Sequence, residues 1–278
     1  MPFDTLGWQD ASCTLNTHCE QNGVKIDRML PHWAAFVAPL IALFVAGITV
    51  LAFDVDMVVA RWGFDGAAKE PWIWADVWLW RILTDYGHLP GILLGVTGAA
   101  LLLKSLVLRR VDHGLWSGLF LVVSVLVGPL LLVNVVIKDA WHRPRPREIV
   151  QFGGTEHFSS FAVPGSSENS KSFPSGHASI AFYLMTPAFI FLRWRRPRWA
   201  AIWLSIGFGY GFLMGASRIL HGAHFVSDIL GSAVVVYLTG WGLSCLLLPA
   251  YKDESQSSTL WPVAAEARRE FPPLNSAA

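Results

Sequence analysis

Residues 114–146 read GLWSGLFLVVSVLVGPLLLVNVVIKDAWHRPRP, and the junction inside this stretch decides the fold. From Gly114 to Ile137 no side chain is charged, and the run exceeds the roughly 20 mainly apolar residues a helix needs to cross hydrocarbon. At Lys138 the character changes within one residue to Lys-Asp-Ala-Trp-His-Arg-Pro-Arg-Pro. Cations are costly in the hydrocarbon centre. A span that ends in so many of them therefore places polar groups with work to do at the water boundary.

Working outward, five further apolar runs appear. Trp33 to Phe53 is free of charge, and Leu89 to Leu108 carries only Lys104, near its end, where it can snorkel. Ser175 to Leu192 is the shortest and contains Pro187. Trp199 to Ser217 is charge-free, with Gly207, Gly209, Gly211 and Gly215 for close helix packing, and Ile229 to Ala250 is charge-free. Lipid satisfies no backbone N–H or C=O, so each run is expected to be helical. The fold read from this pattern is all-α, a six-transmembrane-helix bundle over 33–250.

Composition agrees. The chain is 53% hydrophobic and 15% charged, with mean hydropathy +0.44, against about 25% charged for a soluble domain. A net charge of +1 lacks the strongly basic face that nucleic acid favours. Cys13, Cys19 and Cys245 make neither a disulfide framework nor zinc-ribbon spacing. Residues 1–32 lack the basic start and apolar stretch of a signal peptide and are read as a cytoplasmic N-terminal segment.

Between the first two runs, 54–88 holds Trp72, Trp74, Trp78 and Trp80 beside Asp76, Arg81 and Asp85. Pro71 suits a first helical turn, and the mixture suggests a helix lying in the interface. Residues 147–172 are an extracytoplasmic loop, whose serines and paired glycines read as a mobile flap. Residues 251–278 form a polar tail. Six spans place both termini on one side. The short loops on that side, 109–113 and 193–198, hold six arginines, which assigns them to the cytoplasm.

Three polar clusters then share the opposite face: Lys138 to Pro146, Pro174-Ser175-Gly176-His177, and Ser217-Arg218 through His224 to Asp228. Lys138, Arg145 and Arg218 offer cations suited to phosphate, arginine as a fork and lysine as a point charge. Ser175 and Gly176 open a helix whose free N–H groups favour an anion. His224 and Asp228 are four apart, so one helical turn aligns them as a nucleophile and its orienting carboxylate. His177, from another segment, can pass a proton to a leaving alcohol. The same cations would repel a metal ion, so no metal and no cofactor is expected at His221, His224 and Asp228.

Lys-x6-Arg-Pro, Pro-Ser-Gly-His and Ser-Arg-x5-His-x3-Asp occur here in order, and together they resemble the type 2 phosphatidic acid phosphatase superfamily, which also holds the vanadium haloperoxidases. The motifs cover about 138–228, and the six-span plan is similar to the membrane branch. The resemblance implies that His224 forms a phosphohistidine, supported by Asp228, with His177 as the acid. It implies that Lys138, Arg145, Ser175, Gly176 and Arg218 hold the phosphate, Arg145 being preferred to Arg143 by spacing alone. It implies a lipid phosphate substrate, with undecaprenyl pyrophosphate, phosphatidate, phosphatidylglycerol phosphate and lipid A as candidates. Arg145-Pro146-Arg147 followed by Phe152-Gly153-Gly154 looks like some bacterial lipid A phosphatases. A vanadate-dependent oxidoreductase and a non-catalytic lipid phosphate binder or transporter are the alternatives.

Overall fold

The computed structural model describes residues 32–167 and 170–249. The proposed N-terminal segment and polar tail lie outside them, save His32, as do Cys13 and Cys19. The chain divides into two units, Met1–Pro39 and Leu40–Ala278. The described part of the first is the start of helix α1 (His32–Ala52).

The second unit is helical, and among its described residues the strand-like pairings are two isolated bridges, Phe64–Trp72 and Ile149–Glu156. After α1 the chain turns by 75° into α2 (Val55–Trp62). The corner is Asp54, in the left-handed region at φ 50°, which Asp tolerates better than most residues. α2 buries Asp56, Met57 and Ala60.

The tryptophan segment is helical only in part. Pro71 does not begin a helix; its carbonyl accepts from Asp65 N, closing a turn around the Phe64–Trp72 bridge. Trp74 instead stacks on Trp62, with centroids 5.5 Å apart. Helix begins only at α3 (Trp78–Tyr86) and resumes as α4 (Leu89–Val107), the two making one apolar stretch from Trp78 to Val107.

α5 (His113–Val125) starts at Asp112, whose carboxylate accepts from Leu115 N at 3.0 Å. It continues without a stop into a π-helical stretch, Leu126–Ile137, and then α6 (Lys138–Trp141). Pro129 sits early in the wide-turned stretch, and Asn134 Nδ2 donates to its carbonyl at 2.8 Å. A proline ring crowds the preceding turn, and π turns relieve such crowding while re-aiming the residues that follow.

The fourth apolar run is not one helix. α7 (Gly176–Phe182), a 3-10 turn at Tyr183–Met185 and α8 (Pro187–Arg193) follow one another. Pro187 brings no N–H, and Thr186 Oγ1 donates to the Tyr183 carbonyl at 2.8 Å. Ala178, Phe182, Tyr183, Met185 and Phe189 are fully buried, so this broken element is the core against which longer helices pack. α9 (Pro197–Leu220) supplies the closest approach: a Cβ on Gly207 would lie 2.4 Å from Met185 N, and one on Gly211 2.1 Å from Phe182. α10 (Val226–Leu247) completes the order, with Cys245 unpaired and exposed on it.

By length and composition four helical stretches suffice to cross a membrane, Trp78–Val107, His113–Glu148, Pro197–Leu220 and Val226–Leu247, or five if the bent α1–α2 pair is one span. The shortfall from six has a physical origin: Pro187 and the 3-10 turn interrupt the fourth run. Outward-facing side chains are apolar, with Phe44 69%, Leu93 64% and Leu246 80% exposed. Such a surface needs lipid around it. The chain is an integral membrane protein.

Candidate active site

The loop from His221 to Phe225 turns at Gly222, where φ is +62°. It delivers His224, 3% exposed, to the start of α10. Asp228 lies in the first turn and is wholly buried. One of its oxygens, Oδ2, accepts from Phe225 N at 2.8 Å and Ser172 Oγ at 2.5 Å, and faces His224 Nδ1 at 3.4 Å. Its other oxygen accepts from Arg143 Nη1. The carboxylate is thus held from several directions, and its contact with Nδ1 leaves the far nitrogen, Nε2, as the free face of the ring. Burial holds the His224 imidazole below the ordinary 6.5, toward the neutral form; the Asp228 carboxylate pulls the other way, and the Arg218 and Lys138 charges reinforce the lowering.

Lys138 closes the π-helical stretch, and its Nζ donates to Asn134 Oδ1 at 3.0 Å. Both side chains press on Gly176, where an added Cβ would lie 2.3 Å from Asn134 Oδ1 and 3.1 Å from Lys138 Nζ. Glycine is required there by space, since the first turn of α7 approaches the ammonium group directly. Ser175 is the N-cap of α7, its Oγ accepting from Ala178 N at 3.4 Å, and its N–H donates to the Asp228 carbonyl at 3.3 Å. His177 stands in the same turn, its ring 6.3 Å from that of His88.

The three clusters meet. Arg145, Asp228 and Arg218 all act on the charge of Lys138, and Arg218, His224 and Lys138 all act on His177. Arg145 and Arg218 each keep a buried Nε without a hydrogen-bond partner among the described residues. Arg145 is nearest in charge to Glu148, at 3.8 Å. Cations held with unfilled donors around a neutral imidazole suit a bound oxyanion.

Arg143 and Arg145 part company here. The Arg143 side chain is fully buried and bonded to Asp56, Asp228, Ser227 and the Ser159 carbonyl. Four of its five N–H groups are taken within the protein and the side chain has no exposed surface, whereas Arg145 is part-exposed and keeps an unpartnered Nε. Sequence reading gives no part in the site to Asp56, Arg143, Ser172, Ser227 or Asn134. Asn134 bridges its own turn and Lys138. The 147–172 loop is tied down rather than free at several points: Trp141 Nε1 donates to Phe161 O at 2.9 Å, Ser170 Oγ to Glu148 at 2.9 Å, and Gly165 N to Trp141 O at 2.8 Å.

Residues 117–251 match the family model of the PAP2 superfamily. The PAP2 segment contains Lys138, Arg145, the Ser175–His177 turn, Arg218, His224 and Asp228, but not Asp56. The chain is 35% identical over 130 residues to a lipid A 4'-phosphatase of Francisella tularensis subsp. novicida, covering 46% of this chain and 57% of that one. It is 38% identical over 118 residues to a lipid A 4'-phosphatase of Rhizobium leguminosarum, covering 41% and 49%. The chain thus spans about half the length of these curated relatives. Among solved structures it is similar to a transmembrane PAP2 type phosphatidylglycerolphosphate phosphatase from Bacillus subtilis, at 22% identity and a TM-score of 0.46, over 77% of this chain and 96% of that one.

Proposed function

We propose that the protein is a membrane phosphatase that hydrolyses a lipid phosphomonoester, lipid A foremost, through a phosphohistidine and without a metal ion. The observation that carries this reading is the meeting of Lys138, Arg145 and Arg218 around the buried His224–Asp228 pair. The relatives named as lipid A 4'-phosphatases favour lipid A over undecaprenyl pyrophosphate, phosphatidate or phosphatidylglycerol phosphate.

In this reading Nε2 of neutral His224 attacks phosphorus as the bond to the lipid oxygen breaks. Binding of the anionic phosphate favours the protonated form of His177, which gives its proton to that oxygen, and Asp228 stabilises the charge that appears on the His224 ring. Lys138, Arg145, Arg218 and the N–H groups opened by Ser175 and Gly176 hold the three equatorial oxygens. Water then attacks the phosphohistidine, His177 accepts a proton from it, and inorganic phosphate leaves. In the same reading the chain crosses the membrane six times, the fourth crossing being broken, with the site facing the periplasm and the termini the cytoplasm.

Purified protein given lipid A, phosphatidate, phosphatidylglycerol phosphate and undecaprenyl pyrophosphate in EDTA tests this. Release of phosphate from lipid A, lost in His224→Ala, is expected. Turnover that EDTA abolishes, or that survives His224→Ala, would overturn the mechanism.

A further inference from the structure

Asp56 stands in the first turn of α2, outside the PAP2 segment, and is 4% exposed. Both of its oxygens are engaged. Oδ1 accepts from Ser227 N at 2.9 Å; Oδ2 accepts from Ser227 Oγ at 2.5 Å and from Arg143 Nη2 at 2.8 Å. Ser227 lies in the first turn of α10, so Asp56 satisfies an N–H that the helix itself cannot. Arg143 spans the gap between the two carboxylates. Nη2 reaches Asp56, Nη1 reaches Asp228 and Ser227, and Nε donates to Ser159 O at 2.9 Å. The guanidinium carbon is 4.4 Å from the Phe225 ring centroid and 5.7 Å from that of Phe158. Water is excluded from the whole assembly, so its charges are felt strongly.

The charge count matters. Arg143 with Asp228 alone would be neutral, and a positive ring at His224 would find no compensating charge. Two carboxylates around one guanidinium leave a single negative charge beside His224. We propose that Asp56 is a positioning residue for the reaction: by pairing with Arg143 it leaves the charge of Asp228 to His224, and by capping α10 it keeps the two in register. This rests on the reading of His224 as nucleophile. Nothing in the three motifs marks Asp56; its role follows from the contacts alone.

The test uses full-length protein in lipid nanodiscs, labelled with 15N-histidine, with His224→Ala identifying the His224 resonances. In the native protein Nδ1 of His224 is expected to carry the proton and Nε2 to be bare. Asp56→Asn is expected to move these resonances toward a mixture of tautomers and to lower kcat on lipid A by about tenfold or more, with KM changed less than about twofold. Asp56→Glu, which keeps the charge, is expected to recover most of kcat. Should Asp56→Asn fail to fold, Asp56→Asn/Arg143→Gln carries the test, because it removes both charges of that pair. It is expected to fold, to be no slower than Arg143→Gln, and to keep the native KM. Unmoved His224 resonances with native kcat in the folded variants would overturn the inference. So would losses from Asp56→Asn and Arg143→Gln that add in full. If native protein releases no phosphate from any lipid while the resonances still move, the phosphatase reading falls and the positioning role of Asp56 stands.

Discussion

Lys138 Nζ donates to Asn134 Oδ1 at 3.0 Å, and the pair sits directly against the Cα of Gly176. An ammonium group on a flexible stem is thereby fixed by a neutral amide one helical turn earlier, which is itself fixed by the Pro129 carbonyl. Asn134→Leu removes that anchor. Hydrogen bonds to charged groups are worth about 1.5–3 kcal/mol, so kcat/KM for lipid A is expected to fall by roughly 10- to 100-fold. Steady-state kinetics on the folded variant measures this; native kinetics would show that Lys138 needs no guide.

Gly176→Ala puts a methyl group 2.3 Å from Asn134 Oδ1 and 3.1 Å from Lys138 Nζ. The amide must swing away and take the ammonium group with it. The expected result is a variant that folds normally yet loses about 100-fold in kcat/KM, since misplacement by an ångström can cost that much. Thermal unfolding in detergent beside phosphate release separates the two effects.

Burial keeps His224 neutral below the ordinary histidine range, and Asp228 is what limits that shift. A neutral nucleophile is needed, so activity should persist below pH 6.5 and be lost only as pH falls through the depressed pKa. Removing the carboxylate in Asp228→Asn removes the influence that raises the pKa, so the acid limb of kcat/KM should move to lower pH. Activity on the plateau should fall by roughly 10³- to 10⁴-fold, as when a histidine loses its orienting carboxylate. Substrate ionisation is common to both proteins and cancels in the ratio of their profiles. An acid limb that moves upward would contradict the assignment.

Gly207→Val tests the packing of α9 on the broken core. Its new side chain would start 2.4 Å from the backbone nitrogen of Met185, which cannot move aside as a side-chain tip can. Overpacking of this kind costs about 1–3 kcal/mol. A lower unfolding temperature is expected, with unchanged KM in the protein that remains folded.

Much of this arrangement was legible in advance. Uninterrupted apolar runs announced α4, α5, α9 and α10, because lipid leaves a chain no other way to satisfy its backbone. The three clusters announced residues that the fold brings together, because each stands where an apolar run meets polar chain. What escaped was whatever depends on contact between distant segments. Asp56 looked like one acid in a mixed segment, and only the fold sets it against Arg143 and Ser227. A carboxylate within Val55-Asp56-Met57-Val58-Val59 was the available signal, since an acid flanked by apolar residues near a membrane needs a partner. The repeated Arg-Pro concealed a division of labour, because one arginine is buried and the other is not. Pro71 also misled: it is compatible with a first helical turn, and the bond its carbonyl accepts from Asp65 N holds it in a turn instead.

Gly222 lies so close to Trp72 that an added Cβ would sit 2.1 Å from the indole, and Trp72 in turn leans on Phe64 and Phe152. The strip of backbone leading to His224 therefore takes its shape from a ring contributed by the chain well upstream of the homologous region. A genetic screen for inactive variants should recover lesions at Trp72 and Phe64, sites that comparison of relatives across 117–251 alone would never nominate.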